Sequence, residues 1–188
     1  VDISDISGYV ELPDGKVLSG SEQGNLILWE GNLVKVLIMK DENTPCHNAP
    51  IEFVSLYQNE IITAGRDGYI KYWKFEEIDL LEPSDSSNLK FIQPIQEEFI
   101  SFSLPKVNTF KSAVDSATEA EVSSATQSAS QLNVPTQFIS IVKRESDGLW
   151  IAQDGNGAFW EILISDRKDE QPREHSAKRI LTFSSGEI

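Results

Sequence analysis

Apolar and polar residues alternate along much of the chain with a spacing of two, the period of a half-buried β-strand. The clearest stretch runs Val17-Leu18-Ser19-Gly20-Ser21, Glu22-Gln23-Gly24-Asn25, Leu26-Ile27-Leu28-Trp29. It reads as a short apolar strand, a polar turn with glycine, and a second strand ending in Trp. Leu26 and Leu28 point one way, and Ile27 and Trp29 the other. The same unit returns at 61–73, closing on Tyr69-Ile70-Lys71-Tyr72-Trp73, and at 149–160, closing on Phe159-Trp160. Upstream, Pro13-Asp14-Gly15 predicts a tight turn, because proline presets φ and glycine accepts the positive φ that follows. It joins strands expected at 6–11 and 17–21. Gln58-Asn59 and Ser146-Asp147-Gly148 take that place in the second and third units. Outer strands are expected at 33–39, 92–102 and 179–183.

The repeat distance converts this pattern into an architecture. Trp29 and Trp73 stand 44 residues apart, inside the period of about 40 to 45 for a four-stranded propeller blade. Trp73 and Trp160 are 87 apart, nearly double. The excess falls on 112–131, almost entirely Ser, Ala, Thr, Glu and Gln, which lacks the apolar area to offset the entropy of ordering. A disordered insertion is therefore expected there rather than a fourth blade. The fold predicted is all-β, about three blades of an incomplete β-propeller: 1–44, 45–104 and 135–183, with a low-complexity insertion at 105–134 and the start of a further blade at 184–188. Three blades would leave sheet faces uncovered, since a propeller closes with about four to eight, so the sequence reads as a fragment that is marginal or self-associating in isolation.

Charge and composition narrow the partners. Asp and Glu outnumber Lys and Arg by 30 to 16, a net charge of −14, which repels phosphate backbones and anionic lipid heads. Neither nucleic acid nor membrane is expected as a partner. No apolar run has the length of a membrane span and the first residues lack the features of a signal peptide. One cysteine, Cys46, forms no internal disulfide and fits a reducing, cytoplasmic setting.

The repeated units resemble the WD-repeat family, whose blades share a Trp, a Ser or Thr, a turn Asp and a His in one hydrogen-bonded network. Aligned on Trp73, the second blade supplies all four: His47, Thr63, Asp67 and Trp73. The resemblance implies a structural tetrad, with His bridging Trp and Asp so that buried polar groups are satisfied. The first blade keeps Trp29 but has Gln23 for the acid and no His. The third keeps Trp160 but has Trp150 at the hydroxyl position. Several segments, among them Leu12-Pro13-Asp14-Gly15-Lys16-Val17-Leu18-Ser19-Gly20, Cys46-His47-Asn48 and Trp150-Ile151-Ala152-Gln153-Asp154-Gly155-Asn156-Gly157, are similar to a large cilia- and flagella-associated WD-repeat family. That resemblance implies a non-catalytic scaffold of the motile-cilium axoneme. It implies, as partners, inner-arm dynein heavy chains, a paralogous tether subunit and doublet microtubule proteins. A general cytoplasmic WD-repeat adaptor is the alternative.

Catalysis finds no constellation, and no cofactor, metal or small-molecule substrate is expected. Cys46 beside His47 falls short of the roughly four ligands of a zinc site. Asp154-Gly155-Asn156-Gly157 lacks the acidic twelfth residue of a calcium loop and reads as a β-turn. The paired acids Glu76-Glu77 and Glu97-Glu98 are expected in strand or loop, where neighbours diverge. His175, in the mixed-charge stretch that begins at Asp166, is expected in a solvated loop with no role. The Ser-rich insertion could accept phosphate, but reads more simply as a loop of variable length.

Overall fold

In the computed structural model the described residues are 6–104 and 132–181. The first blade is built from β1 (Ile6–Glu11), β2 (Val17–Ser21), β3 (Leu26–Glu30) and β4 (Leu33–Met39). The second takes β5 (Ile51–Tyr57), β6 (Glu60–Gly65) and β7 (Tyr69–Lys74), after which come a short helix α1 (Phe75–Asp79) and β8 (Leu89–Phe91). β9 (Gln96–Phe99) completes that blade, and β10 (Ser101–Leu104) and β11 (Leu132–Pro135) pair as a separate ribbon. The third blade is β12 (Phe138–Lys143), β13 (Trp150–Asp154), β14 (Phe159–Ile164) and β15 (His175–Leu181). Within each blade the four strands follow one another antiparallel, the arrangement of a β-propeller. Among the described residues the sheets do not close into a ring.

The two faces of each strand explain the stacking. The first cluster joins Leu18, Leu26, Leu28, Val36 and Ile38 of the first blade to Ile51, Val54, Ile61 and Trp73 of the second. Residues one step out of phase, Ile62, Ala64, Ile70 and Tyr72, meet Trp150, Ala152, Trp160 and Ile162 of the third. The middle blade is thus covered on both faces, and β6 is buried along its whole length. Trp73 and Trp160 each look back at the preceding blade. Trp29, alternating with the buried Leu28, looks toward the open side, where Tyr9 is exposed. On the third blade the outward face leaves Val142 and Leu163 exposed. Between β5 and β6, Gln58 and Asn59 both take positive φ, the two-residue turn whose twist suits a hairpin.

Four expectations are corrected. The outer strand of the second blade is not continuous over 92–102, because Pro94 donates no hydrogen bond and interrupts it. What precedes the break, β8, instead adds to the first blade as a fifth strand, parallel to β4, with Leu37 N–H donating to the Asn88 carbonyl at 2.8 Å. Glu76 and Glu77 lie in the first turn of α1, where the helix N-terminus favours acids, and Ile78 anchors that helix in the first cluster. The outer strand of the third blade begins at His175, not 179, so His175 is not in a solvated loop. The stretch 112–131 lies outside the described residues, whereas Leu132–Pro135 is strand.

Candidate functional site

The polar groups singled out in the sequence gather at one end of the blades, where each tight turn is tied to the segment leading into a blade. His47 N–H donates to the Gly24 carbonyl (2.9 Å), Arg66 N–H to Pro50 (3.0 Å), Ile100 N–H to Gly68 (2.8 Å) and Gly155 N–H to Gln137 (2.8 Å). In the second blade the structure brings all four tetrad residues together. Trp73 Nε1–H donates to Thr63 Oγ1 at 2.9 Å, and Thr63 Oγ1 lies 2.7 Å from His47 Nε2. His47 Nδ1 lies 3.0 Å from Asp67 Oδ1, and Asp67 also accepts the backbone N–H groups of Asn48 and Tyr69.

The order of the chain differs from the expected one, because the Thr hydroxyl, not the imidazole, meets the Trp. The proton positions follow. An indole N–H can only donate, so the Thr63 hydroxyl oxygen accepts it and donates its own O–H in a hydrogen bond to His47 Nε2, leaving the imidazole hydrogen on Nδ1 for Asp67. Burial holds His47 below its ordinary value, in its neutral form, with Asp67 opposing in part. For Asp67 burial raises the carboxyl, but the hydrogen bond from His47 and the two backbone N–H groups outweigh it and hold the group low.

The other two tryptophans use other acceptors. Trp29 Nε1–H donates to Ser19 Oγ at 2.8 Å. Trp160 Nε1–H donates directly to Asp154 Oδ2 at 2.9 Å, while Asp154 Oδ1 accepts the N–H groups of Asn156 and Ala158. Asp154 is fully buried and does more than form a turn. Its signal was in the spacing: it stands six residues before Trp160, as Asp67 does before Trp73, and with Trp150 at the hydroxyl position the Trp160 N–H needed another acceptor.

Sequence reasoning missed the ionic contacts between blades. Glu60 of β6, buried, binds Arg173 Nε at 2.6 Å through Oε2 and Arg167 Nε through Oε1. Arg173, itself buried, also donates to Gln58 Oε1 and the Ser165 carbonyl, and its guanidinium carbon lies 5.4 Å from the ring centres of both Tyr57 and Tyr72. Gln96 Oε1 accepts from Arg167 and from the Arg173 backbone. The 165–174 segment is therefore a strap that crosses from the third blade onto the second. Across the other face, Glu97 of β9 pairs with Lys71 of its own blade (2.9 Å) and Lys40 of the first (2.8 Å). Mixed charge along a sequence gives no clue to such pairing, since the partners that join different blades lie more than 50 residues apart.

Cys46 is buried, its thiol pushed up to about 12 by burial, with Sγ against the Ile38 carbonyl. Among the described residues no cluster of His, Cys, Asp and Glu is placed to hold a metal ion, and no helix is long and apolar enough to cross a membrane.

No protein-family model matches the chain. It is 38% identical over 187 residues to mouse cilia- and flagella-associated protein 44, covering 98% of this chain and 8% of that protein. The protein of the same name from Trypanosoma brucei brucei is 36% identical over 102 residues, and that from Chlamydomonas reinhardtii 52% over 56, covering 44% and 30% of this chain. The chain spans less than a tenth of the length of these relatives. Among solved structures it is similar to the C-terminal WD40 domain of Sif2, with a TM-score of 0.44 at 11% identity over 83% of this chain and 30% of that one. A chain of the mitotic checkpoint complex gives 0.48 at 11% identity, over 93% and 40%.

Proposed function

We propose, from the premise that this chain belongs to the WD-repeat proteins and is homologous to a segment of cilia- and flagella-associated protein 44, that it serves as a non-catalytic scaffold of the motile-cilium axoneme. In this reading it is part of a tether that anchors inner-arm dynein motor domains to doublet microtubules. Its partners are dynein heavy chains, a paralogous tether subunit and doublet proteins. The observation that carries the proposal is the 38% identity to the mouse protein along 98% of this chain. The geometry agrees with a scaffold: His47, Asp67, Asp154, Glu60 and Arg173 are all engaged by other groups of the chain, which suits rigidity more than turnover.

The test is made in a flagellated cell with the full-length protein carrying a tag. Signal along the axoneme that survives detergent extraction, together with displaced inner-arm dynein heads in averaged tomograms when the protein is deleted, is the expected result. A signal absent from cilia, or dynein heads unmoved by the deletion, overturns it and favours an adaptor elsewhere in the cell.

A further inference from the structure

Among the described residues every strand pairing is antiparallel except one. β8 lies parallel to β4, with Leu37 opposite Leu89, Ile38 opposite Lys90 and Met39 opposite Phe91. Residues 40–88, between the paired segments, contain β5, β6, β7 and α1. The pairing therefore closes a loop that holds three of the four strands of the second blade.

Both ends of the loop are fastened. Leu37 N–H donates to the Asn88 carbonyl at 2.8 Å, and Ile92 N–H to the Met39 carbonyl at 3.0 Å. Lys90, two residues from each, turns its own N–H toward β4 as the ladder alternates. The Gln93 side-chain amide donates to the Lys40 carbonyl at 2.7 Å, and Lys35 Nζ lies 2.5 Å from Glu82 Oε1. Ile78 within the loop and Ile92 just beyond it are buried in the first cluster. Lys16, also buried, reaches the Asp79 carboxylate at 2.8 Å.

Strand direction decides how each pairing meets a pull along the chain. In an antiparallel pair the start of the first strand lies beside the end of the second, so tension enters at one end and the hydrogen bonds part in turn. In a parallel pair it enters at opposite ends, here at Leu33 of β4 and Phe91 of β8, and the bonds are loaded together. As outer strands peel from either side, β4 and β8 receive load in that second sense. We propose that β4 and β8 form a mechanical clamp, which carries tension in shear and shields residues 40–88 from load until it yields. The tether reading supplies the tension, and the role of the clamp rests on that reading. Its strength is read on purified protein, so it fails separately from ciliary location.

Single molecules of the full-length protein are stretched between handles attached at exposed positions, 32 with 95 in one preparation and 32 with 85 in another. The first geometry shears β8 along β4, and the second pulls β8 from its start and peels it away. At one loading rate the shearing geometry should yield at a force at least about twice that of the peeling one, because rupture under load follows the unfolding barrier. The 49 residues of 40–88 then extend, lengthening the molecule by about 160–175 Å at about 3.3–3.6 Å per residue. Lys90→Pro, which takes a donor from the ladder, should bring the shearing force down toward the peeling one. Equal forces in the two geometries, or a shearing force that Lys90→Pro leaves unchanged, overturn the proposal.

Discussion

His47 gives its backbone N–H to the carbonyl of Gly24, 2.9 Å away in the turn of the first blade, while its imidazole is engaged entirely in the second. One residue thereby fixes two blades at once. Gly24 has φ +84, and a Cβ there would lie 1.9 Å from the His47 carbonyl oxygen. Both the left-handed backbone and the overlap penalise a side chain. Gly24→Ala should therefore destabilise by more than about 2 kcal/mol, read as a lowered urea midpoint of the purified protein with an unchanged slope.

Within the tetrad the hydroxyl of Thr63 is the hinge of the hydrogen-bond chain. Thr63→Val keeps the shape but strands the Trp73 N–H and His47 Nε2, both buried, at about 2–5 kcal/mol for two unsatisfied groups. Ser19→Ala in the first blade, where Trp29 is partly exposed, should cost only about 1 kcal/mol. Equal losses in chemical denaturation would show that the two networks do not differ in burial energetics.

Removing one member of a buried ion pair leaves the other charge stranded. Glu60→Gln should cost about 3–5 kcal/mol because, among the described residues, Glu60 is the carboxylate that pairs with Arg173. Replacing both, Glu60→Met with Arg173→Met, should recover most of that loss. Hydrogen exchange of 165–174 provides the local readout: fast in the single variant, slow again in the double.

Both histidines are depressed below their ordinary value of 6.5, burial being the first cause in each. The unfolded chain therefore binds protons that the native one refuses, and stability falls as pH drops below 6.5. Each histidine contributes a slope of up to about 1.4 kcal/mol per pH unit. Neighbouring charges shape the effect: Asp67, Lys71 and Glu97 around His47, and Glu98, Arg173 and Arg167 around His175. Urea midpoints between pH 7.5 and 5 should decline, and His175→Gln should flatten the decline without abolishing it.

The strands were legible because alternation has a physical cause that acts locally: Leu26 and Leu28 must face a core whatever lies beyond it. Thr63, Asp67 and Trp73 were legible for the same reason, being placed by one hairpin, and His47 by its position in the segment leading into it. What escaped was decided at long range. Pro94 broke a strand and let Leu89–Phe91 join another blade, a pairing no local pattern announces. Asp154 became the acceptor for Trp160 only because Trp150 had displaced a hydroxyl. Arg173, in a charged run containing Pro172, reads as solvated until Glu60, 113 residues away, is placed beside it.

The backward-looking tryptophans give the array a direction in time as well as in space. As the chain leaves the ribosome, the aliphatic face of one blade is already made when the next arrives, so Trp73 and then Trp160 find a receiving surface on emergence and need not wait exposed. A blade order with the aromatic faces turned forward would instead present each indole to the cytosol until its successor had been synthesised, a longer invitation to misassociation at every step.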